Sequence, residues 1–375
     1  MQKWLRASVI GRVVVALMLI GMIAVAGCEK PEPGAGKPTA KHIAGDLKHK
    51  PKVFLSLPDT CNTPDGMTLD DKTGVMYLAC PNFNENISFP GIIVKINPDN
   101  TWEKFCDLPP HPDTNRVGTM GCDLGPDGNL YVADNQYFYN PKRKSRLIRV
   151  KIKDGKFDAC EIAADGFSLA NAVIWRDNNC YVSDTFSEVE GQGYIYKVTL
   201  EQMQAGTVTV SDKNIIATQK SLKRGRGDTA ACDGLTFDAE GNLYCGNFGD
   251  GRIFKYTFDA AGKATGKLLI DNEKLLPSAD GMFWDAKSNM IYIADSASNA
   301  IRRFSLDGKT VETIWENDGN TDGSDGMLDQ PCEVIIRGDE LIEVDFDMSF
   351  PGLRNRAYDK WHGLHVIKLD PNRGK

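Results

Sequence analysis

Three carboxylates stand at the head of short apolar stretches. They are Asp65 in "DGMTLDDKTGVMYLAC", Asp233 in "DGLTFDAEGNLYCGN" and Asp280 in "DGMFWDAKSNMIYIADS". Three further copies of the same text begin at Met120 ("MGCDLGPDGNLYVADN"), Asn171 ("NAVIWRDNNCYVSDT") and Cys332 ("CEVIIRGDELIEVDF"). If the six positions are equivalent around one axis, three carboxylates and one amide converge on a small space. Like charges held that close repel unless a cation sits among them. Ligation by carboxylates and an amide oxygen suits a hard divalent cation, calcium before magnesium, and no histidine occupies these six positions. One Asp-Gly pair alone is ordinary turn chemistry. The recurrence of the acid at equivalent positions turns the reading toward a metal site.

Elements must exist to bring these residues together. The steps between copies are 55, 51, 62, 47 and 52 residues. Each copy reads as a hairpin, with apolar alternation on both sides of a Gly- or Asn-containing turn. A third strand follows most copies, such as "RIFKYTF" (252–258) or "AIRRFSL" (300–306), and then a fourth, such as "GKLLIDN" (266–272) or "TVETIWE" (310–316). Four short strands recurring about every fifty residues predict an all-β, six-bladed β-propeller. A β-sandwich with chance similarity is the alternative, and the close recurrence of the hairpin text argues against it. The last copy is followed by one further strand, "HGLHVIKLD" (362–370), whereas "KVFLSLP" (52–58) precedes the first copy without a blade of its own. The N-terminal strand is therefore expected to close the last blade and remove the open edge. The long step of 62 residues leaves room for an insertion, placed around 219–231.

The remaining segments bound the setting. Residues 1–27 read as a signal peptide, with Lys3, Arg6 and Arg12 before an apolar run from Val13 to Ala26. The run is short for a spanning helix, which disfavours the alternative of an uncleaved membrane anchor. Val25-Ala26-Gly27-Cys28 resembles a bacterial lipobox, which implies cleavage before Cys28 and lipidation of its thiol. Residues 28–51, rich in Pro, Gly, Lys and Ala, read as a flexible tether, leaving 52–375 for the propeller. Glu29 after the lipid-bearing cysteine favours the periplasmic side of the outer membrane, with the lipid anchor as the only membrane contact. Loss of three positive charges with the leader takes the net charge from −7 to −10. An acidic chain disfavours nucleic acid as a partner and is compatible with a cation. Nine cysteines remain besides Cys28, an odd number, and no Cys-x-x-Cys occurs. Export permits disulfides, and Cys61 with Cys80 is the favoured pair because both flank one hairpin.

Other candidates surround the expected tunnel mouth. In "DGNTDGSDGMLD" (318–329), Asp318, Asn320, Asp322 and Asp329 have calcium-loop spacing, although no amphipathic helices flank them; a Gly/Asp-rich connection is the favoured reading. Loops carrying Phe83 and Phe89, "NQYFYNPKRKSR" (135–146) and "DFDMSFPGLRNRAYDKWHG" (345–363) are expected on the same face and would wall a small organic ligand. Arg143, Arg354 and Arg356 could read an anionic group, and His111 or His362 could act as a general base, with plain surface roles favoured for all five.

Taken together, the six copies resemble the senescence-marker-protein/gluconolactonase (regucalcin-like) propellers over about residues 55–375, with more distant likeness to diisopropyl-fluorophosphatase, paraoxonase and strictosidine-synthase-like propellers. The resemblance implies a calcium at the tunnel mouth, held in the family by a Glu from the first blade, two Asn and an Asp near the fifth blade. Asp65 stands where the Glu would be, Asn171 matches the first Asn, Asp233 stands where the second Asn would be, and Asp280 matches the Asp. That Asp is proposed as base or nucleophile in lactonase members, so the resemblance implies Asp280 as the catalytic residue. Asp65 is one methylene shorter than Glu, and Asp233 adds a charge. The leading expectation is an envelope-tethered, calcium-dependent hydrolase of a lactone or related ester, with a small-molecule substrate. The alternative is a non-catalytic ligand- or partner-binding propeller with structural calcium. A quinone-dependent oxidoreductase lacks a cofactor signature in this sequence.

Overall fold

The computed structural model describes residues 47–374 except 85–88, 141, 225–227, 318, 320, 349, 351 and 356. The signal segment 1–27, its lipobox residue Cys28, and most of the tether lie outside the described residues, as do Asp318, Asn320 and Arg356.

Six antiparallel sheets follow one another along the chain. Blade one is Met67–Leu69, Met76–Cys80, Ile92–Ile96 and Trp102–Asp107. Blade two is Thr119–Leu124, Leu130–Asp134, Ser145–Lys153 and Lys156–Phe167. Blade three is Ala170–Arg176, Asn179–Asp184, Gln192–Thr199 and Ile215–Lys220. Blade four is Cys232–Phe237, Leu243–Asn247, Ile253–Phe258 and Ala264–Ile270. Blade five is Met282–Asp285, Met290–Asp295, Ala300–Ser305 and Val311–Glu316. Blade six is Pro331–Arg337, Glu340–Asp345 and His362–Lys368, completed by Lys52–Leu57 from the other end of the chain. Lys52 faces Val366 and Leu57 faces His362 across that last pairing. The six-bladed propeller and its closure by the N-terminal strand are as the sequence predicts.

The extra length of blade three lies elsewhere than expected. Residues 200–214 leave the blade between its third and fourth strands as a short helix, Leu200–Ala205, and a bridge, Val208–Thr209, that pairs parallel to the outer strand of blade two. Thr199 accepts a hydrogen bond from Gln202 N while Gln202 reaches back to Thr199 N, a capping box that starts the helix. Within 219–231, Gln219 and Lys220 finish the outer strand, and Ala231 directly precedes the first strand of blade four.

Second strands are buried on both faces, which suits a layer sandwiched between neighbouring blades. Leu78, Leu130, Val132, Val182, Leu243, Ile293 and Ile342 are inaccessible to solvent. The nine cysteines of the described residues are free thiols, eight of them buried. The expected Cys61–Cys80 disulfide is not formed; the two thiols are hydrogen-bonding neighbours instead.

Candidate metal and catalytic site

The residue after each recurring head position explains the Asp-Gly text. These residues are Gly66, Gly121, Ala172, Gly234, Gly281 and Glu333. A Cβ on Gly66 would run into Gly121 Cα, one on Gly121 would lie 2.7 Å from Ala172 Cα, and one on Gly234 would strike Asp280 O and lie 2.9 Å from Gly281 Cα. Neighbouring inner strands therefore touch backbone to backbone, and only residues with little or no side chain allow it. Gly281 N donates to Cys332 O at 2.8 Å, which joins blade five to blade six. The Cys332 thiol donates toward Pro64 O and Asp65 O, which joins blade six to blade one. These contacts set the head residues side by side around the axis.

Asp65, Asp233 and Asp280 act on one another there. Burial, then the charge of Asp280, pushes the Asp65 carboxyl well above the usual range. Burial, then the charges of Asp280 and Asp65, does the same to Asp233, which also hydrogen-bonds Asp280. Asp65 Oδ2 is buried without a hydrogen-bond partner. Asp280 is held at both oxygens: Ser296 Oγ donates to Oδ2 at 2.7 Å and Gly281 N donates to Oδ1 at 3.0 Å. Asn171 donates its amide to Thr185 Oγ1 at 3.1 Å, which leaves the amide oxygen as the atom for a cation. The residues fit a hard cation by chemistry: oxygen donors, excess negative charge, and a buried oxygen without a donor.

Sequence reasoning missed Glu333. It occupies the place that glycine or alanine fills in the other five blades, and its carboxylate reaches the space beside Gly281. Glu333 Oε1 accepts from Val334 N at 2.9 Å. Its pKa lies well above the ordinary value through burial, with the charges of Asp280, Asp65 and Asp123 adding to it. The signal was the exception at a small-residue position, visible once the copies are aligned. Beyond Glu333 the six inner strands enclose a cavity of about 280 Å3, lined by Thr68, Asp123, Trp284 and Glu333 among others and by none of the four predicted ligands. Glu333 thus separates the acid ring from the far half of the tunnel.

Loops between second and third strands build an aromatic rim. Phe83 packs against Phe138, Tyr139 and Phe346 at 5.4, 6.2 and 6.3 Å, and Phe346 and Phe138 both reach Phe350. Tyr137 stacks on Phe186 at 4.8 Å. Phe89 instead lines a side pocket of about 260 Å3 with Pro81, Arg116 and Tyr139.

The remaining candidates take structural roles. Arg143 donates to Gly166 O and Tyr196 Oη, and Arg354 donates to Ser298 O, Asn317 O and Glu316. His111 Nδ1 accepts from Asp113 N at 3.1 Å, and burial, then Arg146, lowers its pKa. Both histidines are buried, not on the surface: His111 is 8 % and His362 1 % exposed. In the 318–329 segment, Asp322 accepts from Ser324 N and Oγ in a local turn, whereas Asp329 turns toward Asp347 and Asp359.

Residues 89–279, about half of the chain, match the family described as the SMP-30/Gluconolactonase/LRE-like region. Among solved structures, a calcium-binding regucalcin from Agrobacterium tumefaciens aligns at 16% identity and a TM-score of 0.56, over 86% of this chain and 96% of that one. A gluconolactonase from Xanthomonas campestris aligns at 11% identity and 0.52, over 89% and 99%. A luciferin-regenerating enzyme aligns at 13% identity and 0.57, over 85% and 97%. At these identities the likeness is one of fold. The curated proteins include no match to this chain.

Proposed function

The chain belongs to the SMP-30/gluconolactonase/LRE-like family, and from that premise we propose that it hydrolyses a lactone or related ester at the tunnel mouth. Asp65, Asn171, Asp233 and Asp280 would hold a divalent cation, calcium first. The observation that carries this reading is the mutual repulsion of Asp65, Asp233 and Asp280 around a buried carboxylate oxygen without a donor. When bound, such an ion would polarise the ester carbonyl and offset the charge developing on its oxygen. The similarly folded regucalcin from Agrobacterium tumefaciens is a calcium-binding protein, which supports the choice of ion.

The chain's own groups supply the proton chemistry. Asp233 hydrogen-bonds Asp280, so a proton can pass between the two carboxyls, and the pair, with Asp280 as the oriented member, is the acid–base unit. Ser296 and Gly281 N fix the direction of the Asp280 carboxylate. Water attacks the carbonyl carbon and gives up a proton to the pair; the ring C–O bond breaks, and the proton passes to the departing alkoxide, leaving a hydroxy acid. The aromatic rim covers a small organic substrate and limits competing water.

The test is a panel of lactones and aryl esters assayed with and without chelator. Turnover should vanish on chelation and return with calcium. Absence of chelator-sensitive turnover across the panel contradicts the reading; a calcium-raised melting temperature without turnover would favour a binding propeller instead.

For location, the reading is an exported lipoprotein held by Cys28 at the bacterial envelope, on the periplasmic side of the outer membrane. The positive start, the apolar run and Val25-Ala26-Gly27-Cys28 support it. Incorporation of labelled fatty acid, lost in Cys28→Ser, checks it.

A further inference from the structure

At the ring-side end of blade six, two groups of acids sit close together, and they differ in how their charge is met. In the first group, His365 lies between Glu343 Oε2 and Asp345 Oδ2, both 3.1 Å from Nδ1, while its Nε2 stands 2.8 Å from Gly323 O. A carbonyl accepts only from a donor, so Nε2 carries a proton, and Nδ1 faces the two carboxylates at hydrogen-bonding distance. This group carries its own imidazole in direct contact with its acids.

The second group does not. One carboxylate oxygen from each of Asp329, Asp347 and Asp359 lies within 4.8 Å of the others. Asp329 and Asp347 are 2 % exposed, and Asp359 is half-buried. Among the described residues no lysine or arginine pairs with any of the three. Asp329 Oδ1 and Asp359 Oδ2 are buried without a hydrogen-bond partner. Independently, His362 is 1 % exposed and neither ring nitrogen has a hydrogen-bond partner. Its Nδ1 stands 3.6 Å from Asp347 Oδ2 and its Nε2 stands 3.6 Å from Asp59 Oδ1. A buried imidazole with both nitrogens unmet is unfavourable, since each has lost its hydrogen bond to water without a replacement. A separation of 3.6 Å is long for a hydrogen bond. Two ligand atoms each about 2.2–2.4 Å from one ion and roughly 90–110° apart stand about 3.1–3.9 Å from each other.

We propose that Asp329, Asp347 and Asp359 form a second divalent-cation site, separate from the tunnel mouth, with His362 Nδ1 facing it as the nitrogen donor. Carboxylates with an imidazole suit a hard-to-borderline ion such as manganese, whereas the ring offers oxygen alone. Asp359 gives the ion its way in. The site ties together the approach to the inner strand of blade six (Asp329), the rim loop (Asp347, Asp359) and the first residue of the third strand (His362). It fastens the loop that carries Phe346 and Phe350 to the strand that the N-terminal segment closes. The rival arrangement is a proton shared between Asp329 and Asp359, which needs no ion.

Manganese(II) titration of the full chain, followed by loss of the free-ion paramagnetic resonance signal, separates the two. Asp359→Asn is the first variant, because no backbone group depends on its side chain among the described contacts. Asp347 accepts from Asp359 N at 3.0 Å at both oxygens, so Asp347→Asn is the second variant, with circular dichroism as the check on folding. Wild type should bind two manganese ions, one of which both variants bind at least tenfold more weakly, and a tunnel-mouth variant, Asp233→Asn with Asp280→Asn, should lose the other and keep that one. Uptake in Asp359→Asn and Asp347→Asn equal to wild type in number and affinity overturns the proposal. Loss of turnover in the tunnel-mouth variant with this ion retained shows that the two sites stand or fall separately.

Discussion

Two sets of buried acids recur from blade to blade on the same face, and they are met in opposite ways. One set ends the second strands of blades two, three and five: Asp134, Asp184 and Asp295. Asp134 accepts from Gly118 N and Arg146, Asp184 from Ser168 N and Leu169 N, and Asp295 from Arg302. Burial raises the pKa of Asp134, Asp184 (to about 7) and Asp295, while the neighbouring donors pull each one back. The other set heads the first strands: Asp65, Asp233 and Asp280. There burial raises the pKa of Asp65 and Asp233, and the neighbouring acids raise them further. The first set is a structural device that ties the loops to the blade. The second is built to meet something positive from outside the chain, and the sign of the neighbours' effect separates the two where burial alone does not.

Breaking the satisfied set should have the largest effect. Arg302 lies between Asp295 Oδ2 at 2.9 Å and Glu316 Oε2 at 3.0 Å, with all three buried. Arg302→Leu leaves Asp295 buried without its cation and Glu316 with Arg354 alone, and should cost about 3–5 kcal/mol, read from the shift in denaturant midpoint at unchanged m-value. In the ring the loss should fall on chemistry instead. Asp280→Asn should lower kcat/KM for the best lactone about 100-fold or more, equivalent to about 2.7 kcal/mol, with a denaturant midpoint in chelator no lower than wild type. Equal destabilisation by both substitutions would erase the distinction.

A smaller effect should appear in the pH dependence of stability. Free carboxyls ionise near pH 4 in the unfolded chain, whereas Asp65, Asp233 and Glu333 hold their protons to higher pH when folded. A raised folded pKa gives stability that is present at low pH and is lost as pH rises through that value. In chelator, stability should therefore fall as pH climbs from about 4 toward neutrality. Calcium, bound by the ionised ring, should flatten that slope and at 100 times its Kd add about 2.7 kcal/mol. Urea midpoints measured across this range with and without calcium check it, and identical slopes would contradict it.

Much of this was legible because the repeats could be aligned. The hairpin text fixes six blades, and Lys52–Leu57 without a blade of its own points to closure with His362–Lys368. The Asp-Gly pairs point to the ring; the structure adds that the glycine is required by the neighbouring strand and not by a turn. Glu333 escaped notice because a glutamate in an apolar strand reads as outward-facing until the other five positions prove to be Gly or Ala. The Asp329, Asp347 and Asp359 cluster was illegible because its members come from two segments, before the first strand and after the second strand of blade six, that only the pairing of those strands brings together. Calcium-loop spacing drew attention to Asp329 for a different set of partners. The disulfide expectation for Cys61 and Cys80 identified neighbours but not their bond state.

The central claim is that the ring of Asp65, Asn171, Asp233 and Asp280 holds a divalent cation. Crystals of the full chain soaked in manganese and recorded at an anomalous wavelength test it most directly. The account predicts an anomalous peak at the tunnel mouth within about 2.5 Å of these carboxylates, lost in Asp233→Asn with Asp280→Asn. A tunnel mouth with no peak, at manganese concentrations that restore turnover to chelated protein, would contradict it.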